Sequence, residues 1–595
     1  MGERLVADVI VDRLQAWGVQ RIFGYSGDGI NTVLGALRRS GAPRFVQVRH
    51  EENAAFMAVG HAKYTGGVGV MLSTQGPGAV HLLNGLYDAK MDSVPVVAII
   101  GQQSRTVLGS AYMQEIDLLN LTRDVASSFR QQVNSPEQIP LVLDRAFKAA
   151  LADRGPAVVI IPHDVQQAPA PELEHEHGVI TTAPVWSPPH LVPGQADLEA
   201  AAAVINEGAR VGFLVGQGAR EAWPQVKALA EKIGAGITTS LMGKPYVDES
   251  HPLAAGVMGH LGTSASGVVL GECDTLLIVG SNDPWTEFYP PPGAARAVQI
   301  DIDAAAIGNR YPVEAAVTGE AAASLEALLP LVEARPESAW RTRVEEAVQD
   351  WHRLAAERAG TPARPVNPEL AVRELSGRLP GNAQVAVDVG SVVYWYARQL
   401  RLPAGVPAHL SSTLASMGCS IPYGLAAKLA DPERPVIALS GDGAMQMAGL
   451  AELITVSRLW PDWADPRFVV MVLNNGELAE VTWEQREMEG DPRFDQSQAL
   501  PDFSYARYAE LLGLQGIRVD DPAKMGAAWD AALDADRPVL IEVMSDPDVP
   551  LLPPFPAGKE QGQSMMDALV KEGPATQHAR ELLQTYLGQE EGLAP

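Results

Sequence analysis

The chain has 595 residues, of which 45 are basic and 72 acidic, and its formal net charge is −27 at pH 7. This length exceeds what one hydrophobic core supports and predicts several domains, while the acidic surface repels phosphate backbones and argues against a nucleic-acid partner. The two cysteines lie in unrelated segments and no apolar run could span a bilayer, which predicts a cytoplasmic protein without a disulfide framework or a transmembrane segment.

Short apolar, β-branched runs alternate with longer segments of helical periodicity. The runs are largely apolar throughout, as expected for strands that are covered on both faces of a parallel sheet. In chain order they are Val68–Leu72, Val94–Ile100, Ala157–Ile161, Thr275–Gly280, Ala297–Ile302, Val436–Leu439, Phe468–Leu473 and Val539–Val543. Helical spacing between them, as in Ala222–Ile233 and Leu370–Leu379, predicts an α/β fold with doubly wound parallel sheets.

Two shifts in composition predict the domain boundaries. Residues 166–193 are rich in Pro, His and Glu, and residues 335–368 contain a charged helix followed by a Pro-rich stretch. The first segment is typical of an exposed linker, and the Pro-rich stretch after the charged helix is typical of a second linker. We therefore predict three domains, over residues 1–170, 190–335 and 365–548, and a tail over residues 549–595.

The first polar motif along the chain is Arg49-His50-Glu51-Glu52-Asn53, which opens a predicted helix directly after a short apolar strand. On composition alone this motif is typical of a charged, solvated first helical turn. Its chemical meaning depends on the motifs that follow it along the chain.

The middle of the chain carries Gly-rich loops and an acidic residue that closes a strand. The loops are Gly256-Val257-Met258-Gly259 and Gly280-Ser281-Asn282-Asp283-Pro284-Trp285, and the acidic residue is Asp301. This combination is the general pattern of dinucleotide sites, but it is weakly specific by itself.

The strongest motif is Gly441-Asp442-Gly443-Ala444, which is followed downstream by Asn474-Asn475-Gly476. Each half comes directly after a predicted strand, and ligands of open α/β sheets bind at the carboxyl ends of strands, so both halves can meet at one site. Glycines beside Asp442 let backbone N–H groups approach an anion. Asp and Asn oxygens suit Mg²⁺, which usually bridges to phosphate.

These paired halves resemble the diphosphate-binding signature of thiamine diphosphate (ThDP) enzymes. The resemblance implies ThDP and Mg²⁺ as cofactors, with Asp442, Asn475 and the main-chain carbonyl of Glu477 as metal ligands. Asp442 and Asn475 are 33 positions apart, a few more than is usual in the family. The extra residues around Leu459-Trp460-Pro461-Asp462-Trp463 indicate a surface insertion that leaves both halves intact.

The same resemblance implies roles for residues elsewhere in the chain. Glu51 would hold N1′ of the aminopyrimidine ring and share a proton with it. Gln114 stands where the family places an amide near substrate and cofactor, and Met417 would wedge between the two cofactor rings. The other residues that the resemblance places at ThDP are Gly390, Ser391, Ala415, Ser416, Gly441, Gly443 and Ala444.

The middle domain resembles the FAD domain of pyruvate oxidases and acetolactate synthases. Asp301 would bind the adenosine ribose, and the Ser281–Trp285 loop (Ser281, Asn282, Asp283, Pro284 and Trp285) would line the flavin, together with Gly256, Met258 and Gly259. The alternative is a structural domain that has lost its nucleotide, as in some relatives.

The resemblance is closest to the pyruvate oxidase and pyruvate dehydrogenase (quinone) branch. It implies decarboxylation of a 2-oxo acid, with pyruvate as the expected substrate. The hydroxyethyl intermediate would then be oxidised through FAD, with a quinone or O₂ as the electron acceptor. The alternatives are an acetolactate synthase-like carboligase and a non-catalytic scaffold. Family sites lie between two subunits, which implies at least a homodimer, with a homotetramer expected, in the cytoplasm or at the inner membrane face.

Glu480 departs from the family pattern, because relatives carry an aromatic residue or Met there, over the substrate. A carboxylate would repel pyruvate unless it is protonated or paired. We therefore place Glu480 among the residues of the catalytic pocket, with the hypothesis that it either points away or changes the substrate.

Overall fold

The computed structural model describes residues 4–127, 129–172, 177–403, 405–554 and 557–591. These residues form three six-stranded sheets in which all strand pairs are parallel. Half of the strands are buried along their whole length, because helices cover both faces of each sheet. The predicted fold class, α/β with three doubly wound parallel sheets, is confirmed.

The first sheet has the strand order β2-β1-β3-β4-β6-β5. Its strands are β1 Arg21–Gly24, β2 Arg44–Gln47, β3 Gly69–Ser73, β4 Val96–Gln102, β5 Phe129–Gln132 and β6 Pro156–Pro162. Its helices are α1 Val6–Ala16, α2 Asn31–Ser40, α3 Glu51–Thr65, α4 Pro77–His81, α5 Leu83–Met91, α6 Leu118–Leu121, α7 Ile139–Asp153 and α8 His163–Gln167.

The second sheet has the strand order β12-β11-β10-β7-β8-β9. Its strands are β7 Val211–Val215, β8 Gly236–Thr239, β9 Ala254–Val257, β10 Thr275–Val279, β11 Arg296–Asp301 and β12 Ala315–Thr318. Its helices are α9 Gln195–Glu207, α10 Trp223–Ile233, α11 Ser264–Glu272, α12 Ala321–Leu328 and α13 Ala339–Ala359. Counted within this sheet, the order is 3-2-1-4-5-6, the order of dinucleotide-binding folds, with the switch point between β7 and β10.

The third sheet has the strand order β14-β13-β15-β16-β18-β17. Its strands are β13 Gln384–Val387, β14 Ala408–His409, β15 Val436–Gly441, β16 Phe468–Asn474, β17 Gln515–Val519 and β18 Val539–Met544. Its helices are α14 Pro368–Ser376, α15 Ser391–Gln399, α16 Ser420–Ala430, α17 Asp442–Ala444, α18 Leu450–Leu459, α19 Ala479–Glu484, α20 Asp495–Gln498, α21 Tyr505–Leu511 and α22 Met525–Leu533. Two further helices, α23 Ala557–Glu572 and α24 Gln577–Glu591, follow it.

The first and third sheets share one hydrophobic core, because α3 packs directly against α16. Gly60 permits this close crossing: a Cβ there would lie 3.0 Å from the Cα of Tyr423. A buried ion pair reinforces the junction, since Lys63 Nζ donates to Asp92 (2.7 Å) and to the carbonyl of Leu410 (2.6 Å). The chain after β14 is thereby held against the first sheet.

The two C-terminal helices dock onto the rest of the chain through buried charge pairs. Arg486, after α19, makes two hydrogen bonds of 2.8 and 2.9 Å to Glu572 of α23. His578 of α24 lies 2.7 Å from Asp546. Arg358 of α13 and Glu590 of α24 are 2.9 Å apart, with each side chain only 2% exposed.

We expect Glu590→Ala to lower the free energy of unfolding by about 3 kcal/mol or more, because it leaves the buried Arg358 charge unpaired. Glu591→Ala is the matched control: its side chain is 62% exposed and 3.9 Å from Lys559, so its effect should stay within about 0.5 kcal/mol. Urea unfolding of the two variants and the wild type measures both effects. Equal stabilities would show that the tail is not anchored by this pair.

In the parts of the chain that the structure describes, none of the helices combines the length and the apolar character needed to cross a membrane. We keep the domain limits 1–170, 190–335 and 365–548 and the tail 549–595 as a proposal; residues 1–3, 128, 173–176, 404, 555, 556 and 592–595 lie outside the described residues.

Candidate active site

Three neighbouring strands of the third sheet end at one cleft. Gly390 follows β13 and starts α15, Gly441 ends β15, and Asn475 follows β16. A Cβ at Gly390 or Gly441 would meet no atom within 4 Å, so the space above both residues is open. Gly390 has φ +116°, which L side chains rarely adopt. The cleft can therefore admit a ligand close to the backbone.

Asp442 lies at the centre of this cleft and joins its two sides. Its Oδ1 accepts the backbone N–H of Gly443 (2.8 Å), and its Oδ2 accepts those of Asn475 (2.9 Å) and Gly476 (2.7 Å). Burial raises the pKa of Asp442 to about 6, although these three N–H groups lower it. The structure thus brings together the two halves of the predicted metal motif.

The side chain of Asn475 and the backbone of Glu477 form the next turn. Asn475 Oδ1 accepts the N–H of Glu477 at 3.0 Å. The Glu477 carboxylate turns to Arg493, 2.9 Å away. Burial raises the pKa of Glu477 to about 7, while Arg493 lowers it. Because the side chain is engaged with Arg493, a main-chain carbonyl role for Glu477 is compatible with the geometry.

The segment around Met417 is tied to the same cleft by Asp388, which follows β13. Asp388 accepts the N–H of Gly418 (2.7 Å) and the hydroxyls of Ser420 (2.6 Å) and Ser440 (3.1 Å). The Met417 methyl lies next to Gly443, 3.1 Å from the position of a Cβ there. Ala415, two residues earlier, has φ +56°. Met417 therefore lies beside the Asp442 motif, on a backbone held in an unfavourable conformation.

The residues present fit a metal-bound diphosphate. Ser391, Asn475 and Ser545 line one side of the cleft. The Ser545 hydroxyl is buried and has no hydrogen-bond partner among the described residues. Buried polar groups are normally paired, so an unpaired hydroxyl in a cavity that Ser391 and Asn475 also line is suited to phosphate oxygens. Asp442 and Asn475 supply the oxygen donors that Mg²⁺ prefers.

Glu51 begins α3, and His50 caps the helix by accepting the N–H of Glu52. Glu51 Oε2 lies 2.9 Å from Nδ1 of His81, and the Glu51 side chain is only 12% exposed. His81 stacks on His50 with a centroid distance of 4.3 Å. The carboxylate is thus held at a half-enclosed surface, where one oxygen is bound and the other remains available.

Asn84 connects the Glu51 region to the Met417 segment of the same chain. Its Nδ2 donates to Glu52 Oε1 (2.5 Å) and to the hydroxyl of Ser416 (2.7 Å). Gln114, by contrast, is exposed on a loop, and its backbone has φ +61°. Its side-chain Oε1 accepts a hydrogen bond from Gln75 Nε2 at 3.2 Å. Its place at a substrate stays a prediction, as does the meeting of Glu51 with Asp442 of a neighbouring subunit.

The predicted flavin residues gather on one side of the second sheet. Trp285 packs on Gly259 and makes an edge-on contact with His260 at 4.8 Å. Ser281 follows β10, and its buried hydroxyl has no partner in the described part of the chain. Asp301 closes β11, and burial raises its pKa. An unpaired hydroxyl beside a switch point is compatible with a nucleotide.

The other residues that sequence reasoning assigned to the flavin lie on the same loops. Met258 is buried, and Gly256 has φ +88°. Asp283 Oδ1 accepts the N–H of Trp285 at 3.1 Å, and burial raises the pKa of Asp283 to about 6. The Asn282 carbonyl accepts from Arg310 at 3.3 Å, and Pro284 lies between Asp283 and Trp285.

Sequence reasoning missed two parts of these sites. Gly216-Gln217-Gly218 follows β7 at the switch point, and a Cβ at Gly218 would lie 2.8 Å from the Cα of Gly280. A Gly-x-Gly directly after the first strand of this sheet was the available signal. The contact of His81 with Glu51 was missed as well, because residues 30 positions apart leave no local pattern.

Comparison with known protein families agrees with this geometry. Residues 4–121 match the model described as "Thiamine pyrophosphate enzyme, N-terminal TPP binding domain". Residues 198–328 match the central domain of the same enzymes, and residues 388–543 match their C-terminal TPP binding domain. The chain belongs to the thiamine pyrophosphate enzyme family. The predicted family is thereby confirmed, and relatives named acetolactate synthase and pyruvate oxidase confirm its predicted relation to those enzymes.

Three relatives of this ThDP enzyme show how its similarity is distributed. A thiamine pyrophosphate-containing protein of Bacillus subtilis is 35% identical over 565 residues, 95% of this chain and 96% of that protein. Acetolactate synthase isozyme 2 large subunit of Escherichia coli is 32% identical, covering 93% of this chain and 98% of its own. Pyruvate oxidase of Lactiplantibacillus plantarum is 30% identical, covering 92% and 89%.

Glu480 of this ThDP enzyme lies on α19, directly after the candidate metal motif. Burial, together with the charge of the neighbouring Glu484, raises the pKa of Glu480 to about 8. Glu487 lies in the helical turn that follows α19, and burial likewise raises its pKa to about 7. Glu480 has no ion-pair partner among the described residues, so it is held mainly in the protonated form at neutral pH.

We expect Glu480→Gln to change how stability depends on pH. The pKa of Glu480 is raised from 4.5 to about 8 in the folded state, so its favourable protonation is fully present below pH 4.5 and lost as the pH rises to 8. The variant should therefore gain stability relative to wild type across this window. Thermal unfolding at several pH values measures it, with the exposed Glu489→Gln as control; parallel curves for Glu480→Gln and wild type would refute the assignment.

Proposed function

We propose that the protein binds ThDP and Mg²⁺ and decarboxylates a 2-oxo acid, with pyruvate as the donor, and that FAD accepts the electrons released. Asp442, Asn475 and the Glu477 carbonyl would hold the metal. The junction of Asp442 with Asn475 and Gly476 is the observation that carries this proposal.

Bound ThDP would supply the carbon nucleophile and the electron sink that such a decarboxylation needs. Glu51 would exchange a proton with the pyrimidine nitrogen N1′, because its carboxylate is largely enclosed and oriented by His81. Met417 would wedge between the two rings of the coenzyme, since its methyl lies beside Gly443. Gly390 and Ser391 would approach the diphosphate.

The oxidase proposal depends on the second sheet, whose strand order is that of dinucleotide-binding folds. Ser281, the Trp285 loop and Asp301 would bind FAD, and a quinone or O₂ would reoxidise it. The second candidate is carboligation of two 2-oxo acids. It is favoured by the similarity to acetolactate synthase over 93% of the chain.

Absorbance spectra and product analysis test the proposal. We expect the purified protein to show flavin absorbance, and we expect Asp301→Ala to lower the flavin content, because Asp301 closes β11 at the nucleotide position. Pyruvate, ThDP and Mg²⁺ with a dye acceptor should then yield CO₂ and acetate or acetyl phosphate. Acetolactate would support the carboligase instead. No turnover of any 2-oxo acid and no ThDP binding would leave only the scaffold.

The active assembly is proposed to be at least a homodimer, with a homotetramer expected. Exposed apolar side chains near Glu51 and near the Asp442 motif support a covering subunit: Val80 is 45% exposed and Met447 65%. We propose a cytoplasmic location, with attachment to the inner membrane face as the alternative for a quinone-linked enzyme.

A further inference from the structure

Glu452, a buried carboxylate on a helix of the third sheet, contacts residues before and after Glu51 in the sequence. Glu452 lies on α18 and is fully buried. Its Oε1 accepts the backbone N–H of Arg49 at 2.7 Å and Nδ2–H of Asn53 at 3.1 Å. Arg49 is two residues before Glu51 and Asn53 two residues after it. One oxygen atom therefore fixes the backbone on which Glu51 enters α3.

The position of Glu452 in the chain links it to the Asp442 motif of the same chain. α17 begins at Asp442, a π-helical turn follows over Met445–Gly449, and α18 continues to Glu452. This helical stretch has no break between the two residues. A carboxylate ten positions from the candidate metal ligand thus reaches the N-terminus of the helix that carries Glu51.

Burial of the Glu452 carboxyl group costs free energy, so the contact must offer a compensating interaction. Burial raises the pKa of Glu452, while the N–H of Arg49 lowers it. Its Oε2 has no hydrogen-bond partner among the described residues. A buried carboxyl group without a paired cation costs free energy, so a leucine would be the favourable choice for packing alone. The acid does, however, satisfy a backbone N–H that belongs to no strand or helix, beside the positive end of the α3 dipole.

We propose that Glu452 is a positioning residue for Glu51: by holding Arg49 and Asn53 it fixes the carboxylate of Glu51 against the coenzyme. This inference rests on the proposed function. An error of about 1 Å in the placement of a catalytic group can cost about 100-fold in rate. Glu452 acts through the backbone of α3 and touches neither substrate nor coenzyme.

Three variants test the proposal. Glu452→Leu removes the acceptor and is expected to slow deuterium exchange at C2 of bound ThDP, a reaction that depends on Glu51, by about 10- to 100-fold. Glu452→Gln keeps an acceptor oxygen and should exchange close to the wild-type rate. Asn53→Ala, which removes one of the two contacts, should be intermediate and keeps the test available if Glu452→Leu does not fold.

Amide hydrogen exchange of the coenzyme-free protein provides a readout that does not depend on activity. Peptides covering residues 48–54 should lose protection in Glu452→Leu and keep it in Glu452→Gln. Arg458→Met is the matched control: Arg458 also lies on α18 and donates to Gln47 at 2.6 Å, but it is exposed. It should leave both readouts close to wild type.

The outcomes separate this inference from the proposed function. Unchanged C2 exchange in Glu452→Leu and Asn53→Ala would overturn the positioning role, as would equal losses in Glu452→Leu and Arg458→Met. Failure of the wild type to bind ThDP would overturn the proposed function itself. C2 exchange needs no substrate, so a wild type that exchanges without turning over pyruvate still tests Glu452.

Discussion

Replacing Glu51 with Gln should lower turnover by about 10²- to 10⁴-fold, the range found for loss of a general acid or base. The amide keeps the size of the side chain but cannot share a proton with a ring nitrogen. Because His81 already lies 2.9 Å from one carboxylate oxygen, the other oxygen is the one available to the coenzyme. Steady-state rates with saturating ThDP and Mg²⁺ measure the effect.

Coenzyme affinity and a neighbouring carboxylate serve as controls for this prediction. Glu51→Gln should lose far less affinity for ThDP than it loses in turnover, because the diphosphate and metal contacts lie on the third sheet. Glu52→Gln should lose much less activity, since the Glu52 side chain contacts Asn84 and not the predicted N1′ position. If the two variants lose activity equally, Glu51 has no special role in proton transfer.

The fold could be predicted from the sequence because strands buried on both faces leave continuous apolar runs. β16 and β18 were predicted to within one residue, since helices cover both of their faces and every position favours the same residue types. The Asp442 and Asn475 motifs were also predictable. Turns at strand ends are formed by residues that are neighbours in sequence, so their motifs can be recognised there. Parallel strands then bring these turns together, because their carboxyl ends lie at one edge of the sheet.

The contacts that orient the site could not be predicted in this way. Glu452 and Arg49 are 403 positions apart, and Asn84 and Ser416 are 332 apart. No periodicity or turn chemistry relates such pairs, because they arise where helices and loops of the first sheet pack against those of the third. Tertiary packing around α19 likewise decides the state of Glu480, whose raised pKa arises mainly from burial and not from its sequence neighbour Glu484 alone.

Asp442→Asn should reduce Mg²⁺-dependent binding of ThDP by about 100-fold or more, an effect at least as large as that of removing a metal's outer-shell partners. The carboxylate accepts three backbone N–H groups from both halves of the motif. An amide in its place offers one oxygen and an NH₂ group that opposes those donors, and it removes the charge that attracts the cation. Titration with ThDP at several Mg²⁺ concentrations measures the loss, and EDTA should abolish binding in the wild type.

Glu477→Gln distinguishes a main-chain ligand from a side-chain ligand in the same site. The predicted ligand is the main-chain carbonyl of Glu477. The side-chain carboxylate of Glu477 lies 2.9 Å from Arg493 instead. This variant should therefore bind Mg²⁺ almost as tightly as the wild type. Asn475→Ala should weaken binding, since it removes a side-chain oxygen. Asp462→Asn, an exposed acid between the two halves, should have no effect. If Glu477→Gln loses Mg²⁺ while Asp442→Asn keeps it, the cation binds to side chains around Arg493, and the cleft above Gly441 is not its site.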